Sequence, residues 1–226
     1  MSSPALRLII FDLDGTLVDA YQPVAGSLNY ALKRLGYESL NDETIKRSVG
    51  WGDKNLLARF VRPDDLEKTL AIYRRHHKIA LRRGTKFLPG ARSLITFLRA
   101  RGYKLAVASN RPTVFTRIIL KHLKVLDQFS MVLCADKAKR PKPAGDMLKA
   151  IFKKLAVAPA QALYVGDMTI DVDTGRNAGV RTVAVATGSC TREELIAREP
   201  FRLISSLKEL RDVLKIAGFR CRYGYR

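Results

Sequence analysis

Asp12 and Asp14 follow a short apolar run at residues 6–11, and Asp167 and Asp171 follow another at residues 162–165. Ser109 and Asn110 follow a third, at residues 103–108. Runs of this length, rich in strand formers and closed by polar residues, read as buried strands that end in loops. In open α/β sheets ligands bind beyond the carboxyl ends of the strands, so these side chains are expected to meet at one rim. Two carboxylates about 4 Å apart repel by about 4 kcal/mol at an effective dielectric near ~20. A hard divalent cation relieves that repulsion. Every candidate ligand is an oxygen, so the expected ion is Mg²⁺ rather than zinc or copper. Asp12 and Asp14 stand two residues apart and are expected on the same side of the chain, where one can attack while the other handles a proton. Gly15 permits a tight exit from the strand.

Two further apolar runs, at 130–134 and 181–185, also read as strands, and helical patterns lie between the runs at 91–101, 112–123, 144–155, 169–178 and 206–217. Alternation of this kind predicts an α/β fold, a doubly wound parallel sheet with helices on both faces. Residues 17–85 read differently. They show no clear strand, and amphipathic helices are expected over 22–35, 42–48, 54–60 and 64–83. The turn at Pro89-Gly90 marks the return. The expected organisation is a core built from 1–16 and 86–226, with a helical cap domain at 17–85.

The chain has 226 residues, of which 47% are apolar, which excludes disorder as its main state. Lys and Arg number 41 against 21 Asp and Glu, a formal net charge of +20 that favours anionic partners. Cys134, Cys190 and Cys221 are too few and scattered for a disulfide framework, and without a Cys-x-x-Cys pair a zinc ribbon is excluded. Cys134, within an apolar run, is expected in the core. No apolar stretch has the length of a signal h-region or a membrane span, so a cytoplasmic protein without membrane contact is expected.

The segment Phe11-Asp12-Leu13-Asp14-Gly15-Thr16-Leu17-Val18-Asp19 resembles the first motif of the haloacid dehalogenase-like hydrolases. Ser109-Asn110 resembles their second motif, Lys142-Pro143 their third, and Gly166-Asp167-Met168-Thr169-Ile170-Asp171 their fourth. The motifs fall in family order and span nearly the whole chain. The helical insert resembles the family's C1 cap. Val49-Gly50-Trp51-Gly52, Gly179 and Thr187-Gly188-Ser189 are similar to the phosphoglycolate phosphatase-like branch. The resemblance implies a Mg²⁺-dependent phosphatase in which Asp12 is the nucleophile and forms an aspartyl-phosphate. It implies Mg²⁺ held by Asp12, Asp167 and the main-chain carbonyl of Asp14, with the Asp14 side chain as acid and base. Ser109, Asn110 and Lys142 would hold the phosphoryl group, Asp171 would orient Lys142 or a metal-bound water, and Gly15, Thr16 and Gly166 would support the loops. The third motif departs from the usual Lys-Pro-x-Pro, because Gly145 stands at the second proline position; Lys142 itself is intact.

Trp51, Asp53 and Lys54, in a Gly-flanked cap loop, are candidates for substrate contact. Arg111 is a candidate for the entering phosphate or a solvated helix-start residue. His76 and His77 are adjacent, do not share a helix face, and are expected on a solvated surface. Asp19 and Asp173 are expected to cap helices. The basic, aromatic tail 220–226 is expected to fray. The expected partner is a small phosphorylated metabolite: a phosphoglycolate-like acid, a sugar phosphate or a nucleotide. The chain is expected as a monomer or homodimer. The rival readings are a phosphosugar mutase of the beta-phosphoglucomutase type, an inorganic pyrophosphatase, and a polyanion-binding protein on an inactive hydrolase scaffold. Nucleic acid is the less favoured partner, because the basic segments hold few interleaved aromatics.

Overall fold

The computed structural model describes residues 5–216. Strand β1 (Leu8–Phe11) is followed by β2 (Val18–Asp19) and by the helices α1 (Tyr21–Arg34), α2 (Asp42–Ser48), α3 (Asp53–Leu57) and α4 (Leu66–Gly84). Strand β3 (Lys86–Phe87) and helix α5 (Ala91–Ala100) lead into β4 (Lys104–Ser109), α6 (Thr113–His122) and β5 (Met131–Cys134). Then come α7 (Asp146–Leu155), β6 (Ala162–Gly166), α8 (Thr169–Ala178), β7 (Arg181–Val185), α9 (Arg192–Ile196), β8 (Arg202–Ile204) and α10 (Leu210–Ile216).

Six strands form one sheet in the order β5-β4-β1-β6-β7-β8, and every neighbouring pair is parallel. From β1 the chain steps outward to β4 and β5, then returns to the other side of β1 for β6, β7 and β8. The reversal beside β1 opens a crevice at the carboxyl ends of the strands. Side chains alternate between the faces with a period of two. Ile9, Phe11, Leu105, Val107, Leu163 and Val165 pack with Leu94, Leu98, Phe115 and Ile119 of α5 and α6. Leu8, Ile10, Ala106, Ala162 and Tyr164 pack with Leu148 and Ile151 of α7 on the other face. Both faces are covered, which is why these strands read as continuous apolar runs.

The helical segment has its own apolar cluster, built from Val24, Leu28, Leu32, Ile45, Leu57, Leu70 and Tyr73. Helix α2 starts where Asn41 accepts the Thr44 N–H at 2.8 Å and places Asp42 and Glu43 in the first turn. Helix α4 buries Leu70, Tyr73, His77 and Leu81, one stripe at helical spacing. Among the described residues no helix is long and apolar enough to cross a membrane.

Two local expectations are corrected, and one strand was not foreseen. Residues 17–85 do contain a strand: β2 pairs antiparallel with β3, Val18 opposite Phe87 and Asp19 opposite Lys86, so the segment leaves and returns through one small ladder. Two residues are too few for alternation to register in sequence. The three-residue edge strand β8 escaped for the same reason. The expected helix at 206–217 is a 3₁₀ turn, Leu207–Glu209, followed by α10; Ala217, Gly218, Cys221 and the tail 220–226 lie outside the described residues.

Candidate active site

Strand parity explains how the site assembles. Ile10 and Tyr164 stand opposite each other in the β1–β6 register and face the same layer. Asp12, two residues beyond Ile10, continues on that side. Lys142 enters above them from the loop between β5 and α7. Its Nζ donates to Asp12 Oδ1 at 2.7 Å, to Asp171 Oδ1 at 2.7 Å and to Tyr164 Oη at 3.1 Å, so its three protons are all used. Tyr164 Oη donates to the same Asp171 oxygen at 2.7 Å, and the other Asp171 oxygen accepts the Met168 N–H at 3.0 Å, at the first turn of α8. Both Asp171 oxygens are therefore committed to holding Lys142 and the loop after β6.

Carboxylate oxygens of Asp12, Asp167 and Asp171 lie within 4.8 Å of one another, all on buried side chains. Burial pushes the Asp12 carboxyl up to about 7, although the Lys142 ammonium pulls it down. Burial, then the charges of Asp12 and Asp171, raises Asp167 well above the usual carboxylate range. Burial works against the Lys142 ammonium, but Asp12 and Asp171 outweigh it and hold the amine above its ordinary pKa. Asp167 Oδ1 accepts from Thr16 Oγ1 at 2.7 Å, whereas Asp167 Oδ2 is buried with no hydrogen-bond partner. A buried, unpaired carboxylate oxygen is costly unless a ligand meets it. A Cβ added at Gly15 or Gly188 would collide with this oxygen, so both loops are cut back to the backbone around it. An all-oxygen donor set with excess negative charge and one unmatched oxygen fits a hard cation such as Mg²⁺.

Ser109 ends β4 and is buried; its Oγ accepts the Arg111 N–H at 3.2 Å. The Asn110 side chain ties two loops together. Its Oδ1 accepts the Lys142 N–H at 2.9 Å, and its Nδ2 donates to the carbonyls of Gly50 at 3.1 Å and Lys142 at 3.3 Å. Gly50 belongs to the helical segment, so Asn110 holds both the lysine loop and the segment above it. A second tether joins Arg47 of α2 to both oxygens of Glu194, at 2.7 and 3.1 Å, and to the Ser189 carbonyl at 2.8 Å.

Between the sheet rim and the helical segment lies a cavity of about 550 Å³, counted with the solvent at its mouth. Asp12, Asp14, Ser109 and Arg111 line it from below, and Val24, Gly52, Asp53, Leu56 and Tyr73 from above. Asp14 faces the same cavity as Asp12, but its carboxylate joins Arg111 rather than the aspartate cluster, accepting from Nε at 2.7 Å and Nη2 at 2.8 Å. Of the three candidates in the cap loop, Asp53 reaches the cavity and is held by Arg74 at 2.7 Å. Trp51 is exposed, and with Lys54 it lines an outer groove that Asp53 also borders; Lys54 pairs with Glu67 there.

The expectation of a solvated face for His76 and His77 fails at His77, which is fully buried against Tyr73, Phe115 and Arg111. The signal was in the sequence: His77 stands four residues after Tyr73 and four before Leu81, on the stripe that α4 buries. Arg111 is not a solvated helix-start residue either; it is 9% exposed. Asp19 accepts the Tyr21 N–H at the start of α1, as a cap does, whereas Asp173 lies inside α8 and pairs with Arg176 and Arg198. Cys134 is buried as expected. Tyr164 was overlooked. A tyrosine amid an otherwise aliphatic central strand needs a partner for its hydroxyl, and that is the sign that could have found it.

The haloacid dehalogenase-like hydrolase family matches this chain over residues 9–185. A phosphoglycolate phosphatase of Rhodospirillum rubrum is 33% identical over 224 residues, covering 94% of this chain and 90% of that protein. A phosphoglycolate phosphatase of Aquifex aeolicus is 30% identical over 183 residues, covering 81% and 86%. Among solved structures, a predicted phosphoglycolate phosphatase from Haemophilus somnus is similar in fold, with a TM-score of 0.88 at 24% identity over 92% of this chain and 97% of that one.

Proposed function

The chain belongs to the haloacid dehalogenase-like hydrolases and is a phosphatase of that family; on that premise we propose that it hydrolyses a small phosphomonoester of the phosphoglycolate type, with Mg²⁺, through a phosphoryl group carried on Asp12. The observation that carries this reading is the lysine-held Asp12 beside the unpartnered oxygen of Asp167. Residues 17–85 act as the cap that closes the cavity, and the described residues of 1–16 and 86–226 form the core.

Asp12, Asp167 and the main-chain carbonyl of Asp14 would hold the cation. When bound, it would screen the charge between a carboxylate nucleophile and a phosphate dianion. Lys142, fixed by Asp171 and Tyr164, keeps a positive charge on the nucleophile and neutralises the phosphoryl group in flight. An Asp12 oxygen attacks phosphorus as the ester bond breaks, and Asp14, having first taken up a proton from solvent, gives it to the departing alkoxide. A water then attacks the aspartyl-phosphate, Asp14 takes the water's proton, and Asp12 is restored. The Ser109 hydroxyl and the Asn110 N–H hold phosphoryl oxygens. The apolar upper wall, with Val24, Leu56 and Tyr73, excludes bulk water from the intermediate.

A panel of phosphorylated acids, sugars and nucleotides, assayed for phosphate release with Mg²⁺, tests the reading. Phosphoglycolate-type acids are expected to lead, at a kcat/KM of about 10⁴ M⁻¹s⁻¹ or more, and Asp12→Asn to abolish release. No release from any member of the panel contradicts it.

A further inference from the structure

Among the described residues the cavity has one cationic side chain in its lining, Arg111, which shares that lining with Asp14 and Asp53 and with the apolar Val24, Leu56 and Phe115. Each of its three nitrogens has a partner. Nε and Nη2 donate to the two oxygens of Asp14 at 2.7 and 2.8 Å, and Nη1 donates to His77 Nε2 at 2.7 Å. Both Asp14 oxygens are therefore turned to Arg111 and neither to a leaving group. The fork of Nε and Nη2 matches any carboxylate, and Arg111 and the Asp14 it holds both line the cavity beside Asp12.

Resting on the phosphatase reading above, we propose that Arg111 is a specificity residue that binds the carboxylate of a small carboxylated phosphomonoester in place of Asp14, and that this exchange frees Asp14 to handle the proton of the ester oxygen. The exchange replaces one carboxylate by another on the same two donors, so the buried guanidinium is never left unpaired, the outcome that would cost most. A substrate with a neutral leaving group offers nothing in return, and Asp14 stays tied. The charge of the right substrate thus releases the group that its reaction needs.

His77 is the positioning residue for this fork. Arginine has no acceptor, so His77 Nε2 must accept, and the ring is neutral with its proton on Nδ1. Nδ1 donates to Ser27 Oγ at 3.1 Å, and Ser27 donates to the Pro23 carbonyl at 2.7 Å. The neighbouring His76 Nδ1 lies 3.0 Å from the same Ser27 oxygen. The ring stacks on Tyr73 and meets the edge of Phe115, with centroids 4.7 and 5.0 Å away. Burial, reinforced by the Arg111 charge, holds the imidazole pKa down to about 2, so it stays an acceptor. Through this chain α1 and α4 fix the third edge of the guanidinium and leave the two-donor edge to Asp14.

The experiment compares kcat/KM for phosphoglycolate and for ethyl phosphate, which is similar in size and has a neutral leaving group, in wild type, Arg111→Gln, His77→Leu and His77→Gln. Wild type is expected to prefer phosphoglycolate by about 10²-fold, the worth of a bidentate charge-assisted pair. Arg111→Gln is expected to bring the ratio to about 1. His77→Leu is expected to lower it about tenfold, and His77→Gln, whose amide oxygen can accept from the guanidinium, to restore most of it. A ratio unchanged in Arg111→Gln, or near 1 in wild type, overturns the proposal. A wild type inert toward both esters but active on another member of the panel also overturns it, and one inert toward the whole panel overturns the phosphatase reading instead. Calorimetric titration with glycolate keeps the two apart: binding by wild type that Arg111→Gln loses supports the Arg111 assignment whatever the turnover, and no binding by wild type overturns it.

Discussion

Two buried charge clusters border the cavity, and they differ in their sums. Around Asp12 three carboxylates face the single ammonium of Lys142, and one carboxylate oxygen has no partner. At Asp14 one carboxylate faces one guanidinium, the adjoining His77 is neutral, and each nitrogen of the guanidinium has a partner. The first cluster has negative charge left over and can lower its free energy by taking up a cation. The second is balanced and can only trade one anion for another. Burial alone therefore does not say what a group of charges is for; the net charge and the unmatched polar atoms do.

The clusters come apart most sharply in Asp14→Asn. Turnover is expected to fall by about 10²–10⁴-fold, the usual cost of losing a general acid and base. Affinity for Mg²⁺, read by calorimetry, is expected to hold, because the side chain belongs to the balanced cluster. A cation affinity that fell with the rate would merge the two clusters. Lys142→Ala is expected to cost about 10²–10³-fold in kcat, the loss of one preorganised positive charge, while the cation still binds to a cluster that has become more negative. An unchanged rate would mean that another cation serves the phosphoryl group.

A smaller effect separates the clusters by pH. Burial holds Asp12 near 7 and Asp167 higher than an ordinary carboxyl, so the folded, cation-free protein keeps protons that the unfolded chain has released. The stability from that protonation is complete below the ordinary carboxylate range and is lost as pH rises through about 7. A cation competes with those protons. Its apparent affinity is expected to weaken about tenfold for each pH unit below that point if one proton is displaced. Added Mg²⁺ should accordingly raise Tm more at pH 8 than at pH 6, and a Tm shift independent of pH would contradict the account. The smallest change is expected in Tyr164→Phe, which removes the hydroxyl shared by Lys142 and Asp171 and should cost about 1 kcal/mol of stability, seen as a Tm lowered by a few degrees. An unchanged Tm would show that the hydroxyl only fills space.

The aspartate cluster was largely legible in the sequence and the Asp14 cluster was not, for a physical reason. Asp12, Ser109 and Asp167 each end an apolar strand or directly follow one, and parallel topology brings strand ends to one rim whatever the details of packing. Lys142 and Asp171 follow in the family's motif order. The Arg111–His77 contact joins residues 34 positions apart, from a loop at the sheet rim and a helix of the separate apolar cluster. No local pattern marks such a pair; the helical stripe through Tyr73, His77 and Leu81 marks only that His77 is buried, not what it meets. The two-residue ladder of β2 and β3 and the short β8 escaped because periodicity needs more residues than they have.

The central claim is that Asp12 carries the phosphoryl group. Rapid acid quench of the enzyme during turnover of phosphoglycolate with Mg²⁺, followed by proteolysis and mass spectrometry, reads it directly. The account predicts one phosphoryl group on the peptide that contains Asp12, absent from Asp12→Asn. Steady turnover with no phosphoryl group on the protein, or with it on another residue, would contradict the account.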